Sequence, residues 1–179
     1  MHRSRYILSA LAVSILASSA SFAQEPSLPG NATSLRETHG DWTVACTLVT
    51  SQGGNKSKRC SLSQQKIDQK TRQRALAIEL QPESKSVKGT LILPFGLSLQ
   101  QGATYQLDDG AVGAVQKFRT CLPAGCLIDV DFDTRTVASL RTVKVLKVKT
   151  KADGGQEIIF SISLTGFSSA YDRVVELMR

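Results

Sequence analysis

The residues of this 179-residue chain whose types could do chemistry are few. They are four cysteines, one histidine beyond the first residues, a row of alternating aspartates and a row of alternating lysines. The cysteines are the most informative, because they fall into two close pairs, Cys46 with Cys60 and Cys121 with Cys126. Such pairs could form disulfides, exchange thiols or hold a metal. Thiol oxidoreductases place two residues between their cysteines at a helix N-terminus, which lowers the thiol pKa. Cys121-Leu-Pro-Ala-Gly-Cys126 has four residues between, with Pro and Gly to turn the chain. The cysteine and histidine spacings of a zinc site are absent too. Structural disulfides are therefore expected. Four cysteines allow three connectivities, and local pairing is the one favoured here. Closing the loop from Cys46 to Cys60 would contribute about 3 kcal/mol on the chain-entropy account.

Histidine is scarce. His2 lies in the first residues, so a Ser-His-Asp or Cys-His hydrolase would depend on His39, and no nucleophile elbow accompanies it. No catalytic residue is assigned, and a His-dependent enzyme is not expected. Asp129, Asp131 and Asp133 begin like a calcium loop, but Thr134 stands where that loop needs glycine and Leu140 where it needs glutamate. On a strand these aspartates would line the wet face. Gly53-Gly54 and Gly154-Gly155 read as hairpin turns with no helix following, unlike a phosphate-binding loop. Neither metal nor cofactor is expected. Lys147, Lys149 and Lys151 alternate, with Arg141 and Lys144 before them, so they form a basic stripe on one strand face. Such a stripe could meet an anionic partner, or be a solvated face that discourages edge-to-edge pairing. Nucleic acid is not expected, since exposed aromatics are not interleaved with the charges.

These residues need a scaffold and a compartment. Arg3 and Arg5, the apolar run from Tyr6 to Ala17 and the small-x-small Ser21-Phe22-Ala23 read as a signal peptide over 1–23, cleaved after Ala23. A periplasmic or secreted product is expected, with no transmembrane segment after cleavage. Without Arg3 and Arg5 the formal charge falls from +7 to +5, which attracts anionic surfaces and admits peripheral membrane contact. Residues 24–38 are rich in Pro, Gly, Ser and Thr and read as a flexible leader; residues 39–179 read as a single β-rich domain.

Trp42, Val44 and Cys46 alternate with Thr43, Ala45 and Thr47, the period of a half-buried strand, and Cys60, Leu62 and Gln64 share one face of the next. Trp42 is expected in the core near a 46–60 bridge. Further strands are expected over 74–80, 89–93, 97–100, 104–107, 114–119 and 127–132, with a short helix over 133–140 weakened by Thr134, Thr136 and Val137. Residues 143–151 and 157–164 around Ala152-Asp153-Gly154-Gly155 make the clearest hairpin. Phe167, Ala170, Val174 and Leu177 then switch to helical spacing, predicting a helix over about 168–178 capped by Ser168 or Ser169. The fold class expected is mostly β: an antiparallel sandwich or barrel-like domain with a short C-terminal helix and at most one other short helix.

Five segments in order carry a family resemblance. They are Asp41-Trp42-x-Val44-x-Cys46, Cys60-x-Leu62-x-Gln64, Leu93-Pro94-x-Gly96-Leu97-x-Leu99-x-x-Gly102, Phe118-x-x-Cys121-x-Pro123-x-Gly125-Cys126, and Ile162-Ser163-Leu164-x-Gly166-Phe167-x-x-Ala170. The set resembles the invasion-associated locus B family of exported alphaproteobacterial proteins. That resemblance implies a periplasmic or secreted, non-enzymatic protein linked in host-associated bacteria to entry into host cells. The chain departs from similar proteins at Ser139-Leu140-Arg141-Thr142, where they often carry a glycine. A host-interaction factor is the expected function. The alternative is an envelope-maintenance or adaptor protein binding anionic cell-envelope material.

Overall fold

A computed structural model describes residues 26–179; the expected signal peptide over 1–23 lies outside the described residues. Seven antiparallel strands form the larger sheet, in the order β1 (Ser34–His39), β2 (Trp42–Thr50), β3 (Lys56–Ile67), β4 (Arg74–Pro82), β5 (Ser86–Leu93), β9 (Gly125–Asp133) and β8 (Phe118–Leu122). The smaller sheet has four strands, in the order β11 (Glu157–Ser163), β10 (Val145–Lys151), β6 (Ala103–Leu107) and β7 (Val112–Gln116). The alternation read from the sequence decides which side of each strand is apolar. Trp42, Val44, Leu62, Ile78, Leu80, Leu91, Ile128 and Val130 are buried from the larger sheet, and Leu146, Val148 and Ile162 from the smaller. These side chains belong to one hydrophobic core, so the fold is mostly β, with two antiparallel sheets and two α-helices.

Helix α1 (Thr134–Leu140) forms despite its poor helix formers, because Asp133 caps it, its carboxylate accepting from the Thr136 N–H at 2.7 Å. Val137 and Leu140 are buried. Helix α2 (Phe167–Met178) lays Phe167, Ala170, Val174 and Leu177 into the core against β1–β4. Its N-cap is Gly166, two residues before Ser168 and three before Ser169, the caps expected from the sequence. Ser168 Oγ instead donates to the Arg141 carbonyl and Ser169 Oγ to that of Gly166. Gly166 is required for two reasons. Its φ is +84°, and a Cβ there would collide with the His39 carbonyl oxygen in the β1–β2 turn. Where glycine is lacking, at the end of α1, Arg141 closes the helix in the ordinary αR conformation and forks onto Asp172 of α2 at 2.7 and 2.8 Å.

Three sequence expectations need correction. The leader ends earlier than residue 38, since Ser34–His39 is strand β1 at the edge of the larger sheet, paired antiparallel with β2. Leu35 is the one aliphatic residue in that strand, so local alternation could not reveal it; its register comes from β2 and from an ion pair to α2. Residues 97–100 are not a strand. Leu97 makes a lone bridge to Ala152, and residues 99–101 form a 3-10 turn as the chain crosses between the sheets. Residues 114–119 divide at Lys117 into β7 of the smaller sheet and β8 of the larger, because the chain crosses back there.

Arg173 of α2 grips Glu37 of β1 with two hydrogen bonds of 2.8 Å, and His39 Nε2 lies 3.4 Å from the same carboxylate. The hydrogen bonds from Arg173 hold the Glu37 carboxyl below its usual range, with His39 assisting and burial opposing. A carboxylate with a lowered folded-state pKa stabilises above its unfolded value, and that contribution is lost as pH falls through the folded value. Glu37→Gln should therefore melt about 2–4 °C below wild type at pH 7. The gap should close as the pH is lowered through and below the ordinary glutamate range, as measured by thermal denaturation at several pH values.

Candidate functional site

The motif residues converge on one joint between the two sheets. Ser163 ends the free edge of the smaller sheet, and its N–H and C=O both point away from β10. The Gln64 side chain takes both. Its Oε1 accepts from the Ser163 N–H at 3.0 Å and its Nε2 donates to the Ser163 carbonyl at 2.9 Å. Trp42 Nε1 donates to the same carbonyl at 2.9 Å. Gln64 is one of two buried polar side chains among the described residues, and this pairing satisfies it. The Trp42 ring, 1% exposed, meets Phe167 edge-on at 5.2 Å. Behind it the Asp41 N–H donates to the Thr165 carbonyl at 3.0 Å. The inward place of Gln64 in an apolar alternation was the sequence signal for this joint, though it did not reveal the partner.

The other candidates disperse. Cys46 faces Cys60 across β2 and β3 and is bonded to it, with Cα atoms 4.1 Å apart; Cys121 and Cys126 are bonded across the β8–β9 hairpin, 3.9 Å apart. The first bridge is buried in the core. The second clamps the hairpin at the edge of the larger sheet. Asp129, Asp131 and Asp133 alternate along the outer face of β9 and go separate ways. Asp129 lies 3.4 Å from Arg119 and Asp133 caps α1. Among the described residues no group of three or more His, Cys, Asp or Glu is placed to hold a metal ion. His39 is engaged with Glu37 beside α2.

Lys147, Lys149 and Lys151 occupy alternate positions on the outer face of β10, opposite the buried Leu146, Val148 and Thr150. Because β10 lies between β11 and β6, these lysines do not guard a sheet edge, contrary to one of the readings the sequence allowed. Lys147 Nζ bonds Asp109 of the β6–β7 turn at 2.6 Å, and this hydrogen bond holds the Asp109 carboxyl below its usual range. Lys151 is in register with Glu157, whereas Lys149 lies between Ile159 and Thr104. The same outer face carries Ile159, Val112 and Val115, each about half exposed. It is a mixed cationic and apolar surface, with Lys147 and Lys149 half-buried and Lys151 exposed.

The architecture defines a class: a disulfide-pinned, two-sheet β protein whose motif residues knit the sheets together and leave the outer faces free for contact. Residues 42–175 match the family model described as Invasion associated locus B (IalB) protein. An Invasion protein B homolog of Brucella abortus is 40% identical over 171 residues, covering 94% of this chain and 95% of the relative. Invasion protein B of Bartonella bacilliformis is 35% identical over 176 residues, covering 90% and 91%. The crystal structure of invasion associated protein b from Bartonella henselae superposes with a TM-score of 0.71 at 30% identity, covering 80% of this chain and 96% of that one. The chain belongs to the invasion associated locus B family.

The joint makes a quantitative demand. Gln64→Leu keeps the bulk but leaves the Ser163 N–H without its acceptor, while Trp42 still serves the carbonyl. A buried unmet donor costs about 1–3 kcal/mol. Urea denaturation should show a loss of that size with the m-value unchanged.

Proposed function

We propose that this protein is exported and acts without enzymatic chemistry, as a binding factor at the contact between the bacterium and its host. The observation that carries the proposal is kinship: relatives named Invasion protein B are 35–40% identical over nine-tenths or more of the chain. Export is supported by the basic, apolar, small-residue pattern of the first 23 residues and by two disulfides, which persist in oxidising compartments. Among the described residues no helix is long and apolar enough to cross a membrane.

A second reading, an envelope adaptor that binds anionic cell-wall or membrane material, is favoured by the placement of Lys147, Lys149 and Lys151 on one outer face. A strain lacking the gene separates the two. Lost entry into host cells with unchanged detergent resistance supports the first. Fragility of the envelope in pure culture, with entry preserved per viable cell, supports the second and contradicts the first.

The lysine face has its own test. Near an anionic membrane each lysine contributes on the order of 1 kcal/mol, fading over about 10 Å at ordinary salt. Converting all three lysines to glutamine should leave the melting temperature almost unchanged, because exposed charges contribute little to stability. The same change should weaken retention on vesicles rich in phosphatidylglycerol and flatten its salt dependence. Equal retention of wild type and triple variant at low salt would reduce the stripe to a solvated face.

A further inference from the structure

We propose that the end of the larger sheet where β3, β5 and β8 stop and β4 and β9 start is a membrane-docking tip. It sets the Phe95 ring into an anionic bilayer and holds the surrounding phosphates with the cations of the β3–β4 hairpin. Such docking rests on the anionic-envelope reading given above, and places the insertion point outside the lysine face. Three turns meet at this end. Ile67 pairs with Arg74 beside the β3–β4 turn, and Leu93 at the end of β5 pairs with Cys126 at the start of β9. Arg74, Phe95 and Pro123 border one shared depression, and an Arg74 guanidinium N–H reaches the Ala124 carbonyl at 3.5 Å.

The backbone holds Phe95 outward. Its side chain is 61% exposed, the most exposed large apolar one among the described residues. Leu93 and Leu97 are buried on either side of it, and Gly96, at φ +85°, turns the chain between them. The Gly96 carbonyl accepts from the Asp153 N–H at 2.9 Å and Leu97 bridges Ala152, so the turn is tied to the smaller sheet. The ring cannot fold back without drawing Leu97 from the core. Leu122 is about half exposed on the next turn, which the Cys121–Cys126 bridge clamps. Beside these, residues 65–74 are all exposed and carry Lys66, Lys70, Arg72 and Arg74. The acid among them, Asp68, is turned onto its own backbone. Its carboxylate accepts from the Lys70 N–H, the Thr71 N–H and the Thr71 hydroxyl. Arg72 puts a cation at the hairpin tip although its φ of +59° is a conformation that favours glycine. On the other side the β10–β11 turn adds Asp153, with Lys151 and Glu157 opposed in register behind it, so the end as a whole stays cationic. Cations alone would suit any polyanion, and an exposed ring alone any apolar surface. A fixed ring standing among cations suits an anionic bilayer, where apolar side chains enter the acyl boundary and Lys or Arg stay with the headgroups.

The test uses the processed protein with vesicles of phosphatidylglycerol or phosphatidylcholine, and polyglutamate as a soluble polyanion. Wild type should bind the anionic vesicles at least about tenfold more tightly than the neutral ones. Phe95→Ser removes no charge. It should weaken binding to the anionic vesicles about five- to tenfold and leave retention on polyglutamate unchanged. Lys70→Gln combined with Arg72→Asn should weaken both, by about fivefold per cation on the vesicles. Neither variant should shift the melting temperature by more than about 2 °C, because the changed side chains are exposed. In Phe95→Trp, brominated acyl chains should quench the introduced tryptophan and spare Trp42, which is buried in the core. That quenching should persist after Lys147, Lys149 and Lys151 are converted to glutamine. Absence of wild-type binding to phosphatidylglycerol overturns the tip together with the anionic-membrane reading. Vesicle binding that Phe95→Ser leaves unchanged, or an unquenched tryptophan in Phe95→Trp, overturns the tip alone. Equal losses on vesicles and polyglutamate in Phe95→Ser overturn the bilayer as occupant and make this end a surface for an acidic polymer.

Discussion

A strand at the edge of a sheet leaves every second residue with an N–H and a C=O facing outward, and burying that edge without partners is prohibitively costly. The fold resolves this conflict at Ser163. There the smaller sheet runs against the larger one, and the Gln64 side chain presents an amide that pairs with both Ser163 groups as one residue of a further strand would. Trp42 adds a second donor to the carbonyl. Much else is placed so that this contact can form. Gly40 and Gly166 let the β1–β2 turn and the start of α2 approach within backbone contact, a Cβ on Gly40 lying 2.6 Å from the Thr165 oxygen. Phe167 then packs against the Trp42 ring.

This arrangement explains why the residues by which the family is recognised say little about a ligand. Asp41, Trp42, Cys46, Cys60, Gln64, Ser163, Gly166 and Phe167 all serve the joint, its turns or the adjoining bridge. Leu97, Gly102 and Gly125 lie where the chain crosses or where strands approach closely; the Thr150 hydroxyl donates to the Gly102 carbonyl at 2.8 Å, and a Cβ on Gly125 would strike the Leu93 carbonyl.

The same physics sets what could be read from the chain. The β10–β11 hairpin, the pairing geometry of Cys46 with Cys60, and α2 were legible because periodicity and turn chemistry are local signals. Strand β1 was not, since its place depends on β2 and Arg173, the latter more than a hundred residues away. The split at Lys117 escaped for a related reason: a continuous run of residues with strand propensity does not reveal which sheet each half joins. Propensity also undersold α1, whose threonines and valine are outweighed by the Asp133 cap and the burial of Val137 and Leu140. Of the candidate contact surface, the alternation of the three lysines was visible, but the apolar neighbours Ile159, Val112 and Val115 and the counter-charge of Asp109 required the pairing of four strands.

The most direct measurement is native-state hydrogen exchange at the Ser163 amide, with Ser161 as its internal reference. Both amides point from the same edge of β11 by the alternation of an antiparallel strand; Ser163 is half-buried and has the Gln64 acceptor, whereas Ser161 is exposed. If the joint holds the two sheets together, Ser163 should exchange only through global unfolding, while Ser161 should exchange through local opening at far lower free energy. Exchange of Ser163 at the rate of Ser161 would contradict the account.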